Sequence, residues 1–231
     1  MIGIYDYTVV LTYLGFASGI TGLVMAFNNN PFVAIICLMF SGLCDMFDGK
    51  VARTKKKRTA EEKHFGIQLD SLSDLVCFGV LPAVIGYTLY KNTGLNSYYF
   101  MPLLIFFPLA ALIRLAWFNV LEITRNSSSP VKEYTGLPVT SSALIFPFIY
   151  IFKSLLGKYF VLLYILILLI VGILFITKIK IKKPNMKVMV GFIIIGIIEI
   201  LLIIMVRNLL WNISIEKEIV KKILLLNLLG I

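Results

Sequence analysis

Charged side chains are scarce in this sequence: they make up 15% of its 231 residues, where a soluble domain carries about 25%. Histidine occurs once, at His64, and cysteine three times, at Cys37, Cys44 and Cys77, each inside an apolar stretch. Those positions fit neither a disulfide framework nor a zinc centre, which leaves the cysteines as small hydrophobic side chains. Acidic residues are outnumbered by basic ones, 12 to 22, for a formal net charge of +10. No RNA-binding motif or aromatic-interleaved basic patch accompanies that charge, so nucleic acid is not an expected partner. Membrane topology and attraction to anionic headgroups account for it more simply. The segment Met1–Tyr7 lacks the basic start of a signal peptide and carries Asp6 instead, so the first apolar run reads as a retained span.

What fills the chain is hydrophobic, 59% of residues with a mean hydropathy of +0.94. The apolar residues fall in runs close to the ~20 that a helix needs to cross a bilayer. The expected fold is an all-α polytopic transmembrane bundle, six core spans plus one or two C-terminal ones, in a single domain over 1–231. Its spans are expected at Tyr7–Phe27, Phe32–Thr54, Phe65–Tyr90, Tyr98–Ile123, Leu137–Phe152, Tyr159–Ile179 and Val188–Arg207. A core of about 6–180 would be followed by the last span and an amphipathic tail, Ile213–Gly230, that lies on the membrane or crosses it. Lys55, Lys56, Lys57, Arg58, Lys63, Arg125, Lys132, Lys178, Lys180, Lys182, Lys183 and Lys187 lie in alternate connectors, against only Lys91, Lys153 and Lys158 in the others. By the positive-inside rule the N-terminus and the first group face the cytoplasm of a multi-pass cell-membrane protein. Gly15, Gly19 and Gly22 in the first span predict close helix packing.

Four aspartates lie in or beside apolar spans: Asp45, Asp48, Asp70 and Asp74. A carboxylate at the centre of a span costs about 2.5–3.5 kcal/mol and demands a reason. The i,i+3 and i,i+4 spacings put each pair on one helical face, and consecutive antiparallel spans would bring the pairs together. Four such groups repel one another unless a divalent cation intervenes, and an oxygen-only site suits two Mg²⁺ or Mn²⁺ ions shared with substrate phosphates. Gly49, Ala52 and Gly66 leave room on that face for a flat base and ribose, and Arg53 is placed to pair with phosphate. An ion or proton pathway, or a divalent cation transporter, is the competing reading of the same carboxylates.

The segment Asp45-x-x-Asp48-Gly49-x-x-Ala52-Arg53, followed by Gly66-x-x-x-Asp70-x-x-x-Asp74, resembles the signature of the CDP-alcohol phosphatidyltransferases. The gap from Arg53 to Gly66 is about four residues longer than the usual pattern, with the surplus expected in the loop Thr54–Phe65. Phe65–Asp74, Phe78–Pro82, Arg114–Asn119 and Tyr134–Pro138 look like the phosphatidylserine synthases of that family. The resemblance covers about Asp6–Pro147. It implies that the four aspartates hold the metals, with Asp74 also the general base, and that Asp48, Gly49, Ala52, Arg53 and Gly66 bind the CDP-lipid. Thr12 stands where the family often has an asparagine facing the nucleotide. The resemblance further implies CDP-diacylglycerol and L-serine as substrates, direct displacement of CMP, and a homodimer. A single histidine excludes the paired histidine–lysine chemistry of the unrelated phospholipase-D-like synthases.

Arg114 is the candidate for the serine carboxylate, because an arginine inside an apolar span needs an anionic or polar partner; a structural bridge or snorkelling would satisfy it equally. Asn119, Thr135 and Gly136 are further acceptor candidates, the last two in a turn ahead of a helix start with free backbone N–H groups. Glycerol phosphate or inositol phosphate as acceptor, or an archaeal CDP-lipid as donor, are the alternatives within the family. The run Lys55–Arg58 is expected to set topology and meet anionic lipid, His64 to lie at the surface, and Glu199 has no evident partner.

Overall fold

The computed structural model describes residues 2–93, 100–124, 133–182 and 185–229, with side chains not described at 133, 134, 182, 186 and from 210 on. Tyr98, Arg125, Lys132, Lys183 and the side chains of the tail, all used in the sequence reading, therefore lie outside the described residues. The chain is an all-α bundle: α1 Val10–Phe27, α2 Pro31–Thr54, α3 Ala60–Asp74, α4 Leu81–Lys91, α5 Met101–Ile123, α6 Ser142–Ile151, α7 Lys153–Leu156, α8 Phe160–Ile176 and α9 Met186–Leu229. Among the described residues six segments are long and apolar enough to cross a membrane. A π-helical turn, Leu75–Val80, joins α3 to α4, so that 60–91 forms one span.

Three boundaries differ from expectation. The third span begins at Ala60 rather than Phe65, because Thr59 accepts from the Glu62 N–H while the Glu62 carboxylate accepts from the Thr59 N–H. This capping box turns most of the expected loop into helix and leaves only 55–59 as connector. The fifth segment is shorter than expected, a 3₁₀ turn at Val139–Ser141 leading into α6. At about 1.5 Å per residue, Val139–Ile151 falls short of a ~30 Å hydrocarbon core. The turn before it is tied down by a two-stranded antiparallel ribbon, β1 Glu133–Thr135 with β2 Lys180–Lys182, a small addition to the helices. Finally, the last span, expected to end at Arg207, and the tail, expected from Ile213, are one continuous helix, α9.

The glycine stripe of α1 sets how closely the first helices approach. A Cβ added at Gly15 would lie 3.2 Å from Cys44 Cβ, one at Gly19 2.4 Å from Cys77 Sγ, and one at Gly22 2.8 Å from Leu81 Cδ2. Hydroxyls lock the same contacts: Ser41 Oγ donates to the Gly15 carbonyl at 2.8 Å, and Ser18 Oγ to that of Cys37 at 3.0 Å. Behind this layer, Phe107, Phe146, Tyr164 and Phe175 pack ring against ring where α5, α6 and α8 meet, and Tyr164 Oη donates to the Pro82 carbonyl at 3.1 Å. The three cysteines are free, as expected.

Gly19→Ala is expected to lower the thermal unfolding midpoint in detergent, with an overpacking cost of about 1–3 kcal/mol. Adding Cys77→Ala removes the clashing sulfur and should restore most of the loss. A double variant no better than Gly19→Ala would disprove the contact.

Candidate metal and nucleotide site

α2 delivers Asp45 and Asp48 less than three turns from its end, and α3 delivers Asp70 and Asp74 just ahead of the π-helical turn. A π turn displaces the residues around it relative to a regular helix, and such turns are frequent at functional sites. Asp45, Asp70 and Asp74 each present a carboxylate oxygen within 4.8 Å of the others. Asp48 stands at the edge of this group, against Asp70, and is buried. Thr12 Oγ1 donates to Asp48 Oδ2 at 2.8 Å, so α1 fixes the orientation of that carboxylate. A cavity of about 10 Å³, close to one water in size, lies between Thr12, Asp45, Asp48 and Asp74.

Among the described residues no protein cation forms an ion pair with the cluster; Arg53 acts on Asp48 only from a distance. Among the described residues, ion pairs within 4 Å involve only Lys55, with Asp6 and Glu62. Lys50 lies over the Phe47 ring instead. Clustered, partly buried carboxylates that no described base pairs with directly form the donor set of a hard divalent cation, which takes oxygen ligands. The residues present therefore fit a metal.

Both motif glycines lie under guanidinium groups. A Cβ at Gly49 would meet Arg53 Nη1 at 3.5 Å, and one at Gly66 would meet Arg58 Nη2 at 2.9 Å. Arg53 is exposed and Ala52 half-buried. Arg58 Nη2 donates to the Glu62 carbonyl at 3.1 Å, while its buried Nε has no partner. The structure thus divides the run Lys55–Arg58. Lys55 Nζ bridges Asp6 Oδ2 and Glu62 Oε1, each at 2.7 Å, strapping the N-terminal segment to the start of α3. Thr54 Oγ1 donates to Tyr7 Oη at 3.2 Å beside it. The Lys55 hydrogen bond holds the Asp6 carboxyl down at about 2, and the Lys55 ammonium is raised above 10.5 in return. A depressed acid contributes above its ordinary 3.8 and a raised base below its ordinary 10.5, so the strap is intact across neutral pH. His64 is exposed, as expected.

The acceptor candidates fall into two places. Asn119 sits beside α3, accepting from Ser71 Oγ at 2.7 Å and donating to Gln68 Oε1 at 3.4 Å. Gln68 and Ser71 were not singled out from sequence; Ser71 lies between Asp70 and Asp74, which is the signal that could have found it. Arg114 is buried, its Nη1 donating to the Thr135 carbonyl at 2.8 Å and the Phe175 carbonyl at 3.4 Å, its guanidinium 4.5 Å over Phe118. Gly136 adopts φ +79°, and a Cβ there would lie 2.6 Å from Arg114 Nη1. Glu199 is buried in α9, and its Oε2 has no hydrogen-bond partner among the described residues.

This arrangement matches a known family: residues 8–177 match the model for CDP-alcohol phosphatidyltransferases, and the chain belongs to that family. It is 33% identical over 186 residues to a CDP-diacylglycerol–serine O-phosphatidyltransferase of Methanocaldococcus jannaschii, covering 80% of this chain and 77% of that one. It is 30% identical over 166 residues to an archaetidylserine synthase of Methanothermobacter thermautotrophicus, covering 71% and 66%. A CDP-diacylglycerol–serine O-phosphatidyltransferase of Saccharomyces cerevisiae is 35% identical over 148 residues, 61% of this chain and about half, 51%, of the yeast protein.

Thr12→Val leaves Asp48 Oδ2 without its donor, and the affinity for Mn²⁺ measured by calorimetry is expected to fall about tenfold, as for other groups that orient a metal ligand. Thr12→Ser should recover it. Equal Mn²⁺ affinity in wild type and the valine variant would remove Thr12 from the site.

Proposed function

We propose that this chain transfers the phosphatidyl group of CDP-diacylglycerol to the hydroxyl of L-serine and releases CMP. The observation that carries the proposal is the carboxylate cluster, which no described cation pairs with directly, flanked by two arginines, each over a motif glycine. Carboxylates hold cations, guanidinium groups pair with phosphate oxygens, and glycine leaves space for a nucleotide. Serine is favoured because the relatives' names carry it in each case while their lipid halves differ, diacylglycerol in two and archaetidyl in the third. An archaeal-type CDP-lipid as donor is the second reading, favoured by the archaetidylserine synthase match.

In this reading Asp45, Asp48, Asp70 and Asp74 hold two divalent ions, Mg²⁺ or Mn²⁺. Such ions neutralise the diphosphate, polarise the phosphorus that bears the lipid and stabilise the leaving CMP. Gly49, Ala52 and Gly66 receive the nucleotide, with Arg53 and Arg58 on its phosphates. Asp74 takes the serine hydroxyl proton as that oxygen bonds to phosphorus; the bond to CMP breaks and CMP keeps the electron pair. Arg114 lies toward the serine carboxylate through the Thr135–Gly136 turn, and Asn119 helps to fill the acceptor pocket. In this reading the enzyme works as a homodimer in the cell membrane with its site at the cytoplasmic face, a sidedness supported by the charge of the alternate connectors.

Purified protein supplied with CDP-diacylglycerol and Mn²⁺ is expected to release CMP with serine, and to fall silent on chelation of the metal. Release with glycerol phosphate or inositol phosphate but not serine would overturn the acceptor. Asp74→Asn is expected to keep CDP-lipid binding while turnover falls about 10²–10⁴-fold, the usual weight of a general base. Normal turnover in that variant would remove Asp74 as base. Metal flux into proteoliposomes without any need for CDP-lipid would instead favour a transporter.

A further inference from the structure

The end of the bundle away from the aspartates holds a second polar feature, independent of the reaction proposed above. A cavity of about 690 Å³ opens between the start of α2, the end of α6, α7 and α9. That volume lies in the ordinary range of small-molecule sites. Phe32, on its wall, is the second residue of α2, whereas Asp45 and Asp48 follow 13 and 16 residues later. At 1.5 Å per residue the two sites are about 20–24 Å apart along the helix.

The lining combines two chemistries: the cations Lys153 and Arg207, and the apolar side chains of Ile203 and Ile204, one turn before Arg207 on α9. Lys153 opens one membrane-length apolar segment, Lys153–Ile176, and Arg207 is the residue at which the last apolar run, Val188–Arg207, ends in the sequence. Both cations therefore stand at the level where hydrocarbon gives way to headgroups. Lys153 Nζ donates to Tyr150 Oη at 3.3 Å, and the Arg207 guanidinium lies 4.5 Å over the Phe32 ring. These contacts position the two groups without neutralising them. No carboxylate is found among the described lining residues, and neither cation forms an ion pair with a described residue.

We propose that this crevice binds the phosphodiester headgroup of an anionic glycerophospholipid. Its phosphate lies between Lys153 and Arg207, with Tyr150 holding the lysine in place, and one acyl chain runs down Ile203 and Ile204. Charge selects the anion: two cations and no acid face one cavity. The apolar wall selects a lipid over a soluble phosphate, because Ile204 on the cavity wall and its α9 neighbours Leu201 and Met205 are exposed apolar side chains that an acyl chain would cover. Anionic lipid gains about fivefold in affinity for each basic residue close to the headgroup, so the pair supplies about 25-fold over a zwitterionic lipid.

The test uses the full chain purified in detergent and reads its thermal unfolding midpoint with added phosphatidylglycerol, phosphatidylcholine of the same chains, or inorganic phosphate. Phosphatidylglycerol is expected to stabilise the wild type at about 25-fold lower concentration than phosphatidylcholine, and phosphate to give no shift. Lys153→Ala with Arg207→Ala should abolish the difference, while Lys153→Arg with Arg207→Lys, which keeps both charges, should retain it. Equal effects of the two lipids on the wild type would overturn the site. So would a preference lost in the charge-keeping pair, or one that survives in the alanine pair and so belongs to the basic residues at the other end. A shift with inorganic phosphate equal to that with phosphatidylglycerol would overturn the lipid assignment.

Discussion

Mutual repulsion among acidic side chains within a membrane-spanning bundle is the constraint on which the rest of this structure depends. Three carboxylate oxygens within 4.8 Å, with a fourth carboxylate adjoining, separate unless the helices carrying them are held by something other than those groups. Here the holding is done by packing. α1 lies against α2 through Gly15, against the π turn through Gly19 and against α4 through Gly22, so one stripe of missing side chains gathers both carboxylate-bearing spans. Dispersion between closely fitted surfaces is the main attraction available to helices in lipid. Divalent cations held as proposed above would remove the repulsion, so the site is assembled by α1 and would be discharged by its ligand.

The same logic explains where Thr12 sits. It lies three residues before Gly15, on the face of α1 that meets α2, and its hydroxyl reaches Asp48. The carboxylate set therefore has one member tied to the helix that packs the site together. Lys55 does the corresponding work outside the membrane, where water makes an ion pair weak but a shared lysine between Asp6 and Glu62 still joins the N-terminal segment to the capped start of α3.

Much of this was legible because intramembrane carboxylates are costly, and their spacing puts each pair on one face without any knowledge of the fold. The glycine stripe was legible for a similar reason, since small residues three or four apart have few other uses in a span. Boundaries were harder to read. Thr59-Ala60-Glu61-Glu62 is a capping box, but hydropathy places the start of the span at Phe65, where the apolar run begins, and α3 starts in polar sequence. Arg58 was read as one member of a charge run because nothing local tells which of four adjacent bases folds back over Gly66. That depends on the longer connector becoming helix, a consequence of the cap. The β ribbon joins residues some 45 apart and carries too few residues for a periodic signal. The continuity of α9 was hidden because its apolar run lapses after Arg207 and turns amphipathic from Ile213, a change in polarity that a helix tolerates.

Arg114 shows how far sequence chemistry goes and where packing takes over. A buried guanidinium in an apolar span must be answered by negative charge, and the obvious sources were an aspartate or a substrate carboxylate. The fold supplies a third, the C-terminal end of α8. Its last carbonyls lack partners within the helix and carry the negative end of its dipole. Phe175 O accepts from Arg114 and Leu174 O from the Leu137 N–H, while Ile179 O takes the Gly136 N–H. Gly136 is required where these meet, both for its positive φ and because a Cβ would strike Arg114 Nη1 and the Phe175 carbonyl. One arginine thereby fastens β1, the Gly136 turn and the end of α8 to α5, the helix that also carries Asn119 to Ser71 beside Asp70. Its buried charge is thus spent in part on holding the turn in place, and any acceptor lying against that turn would meet a cation whose direction the backbone has already set.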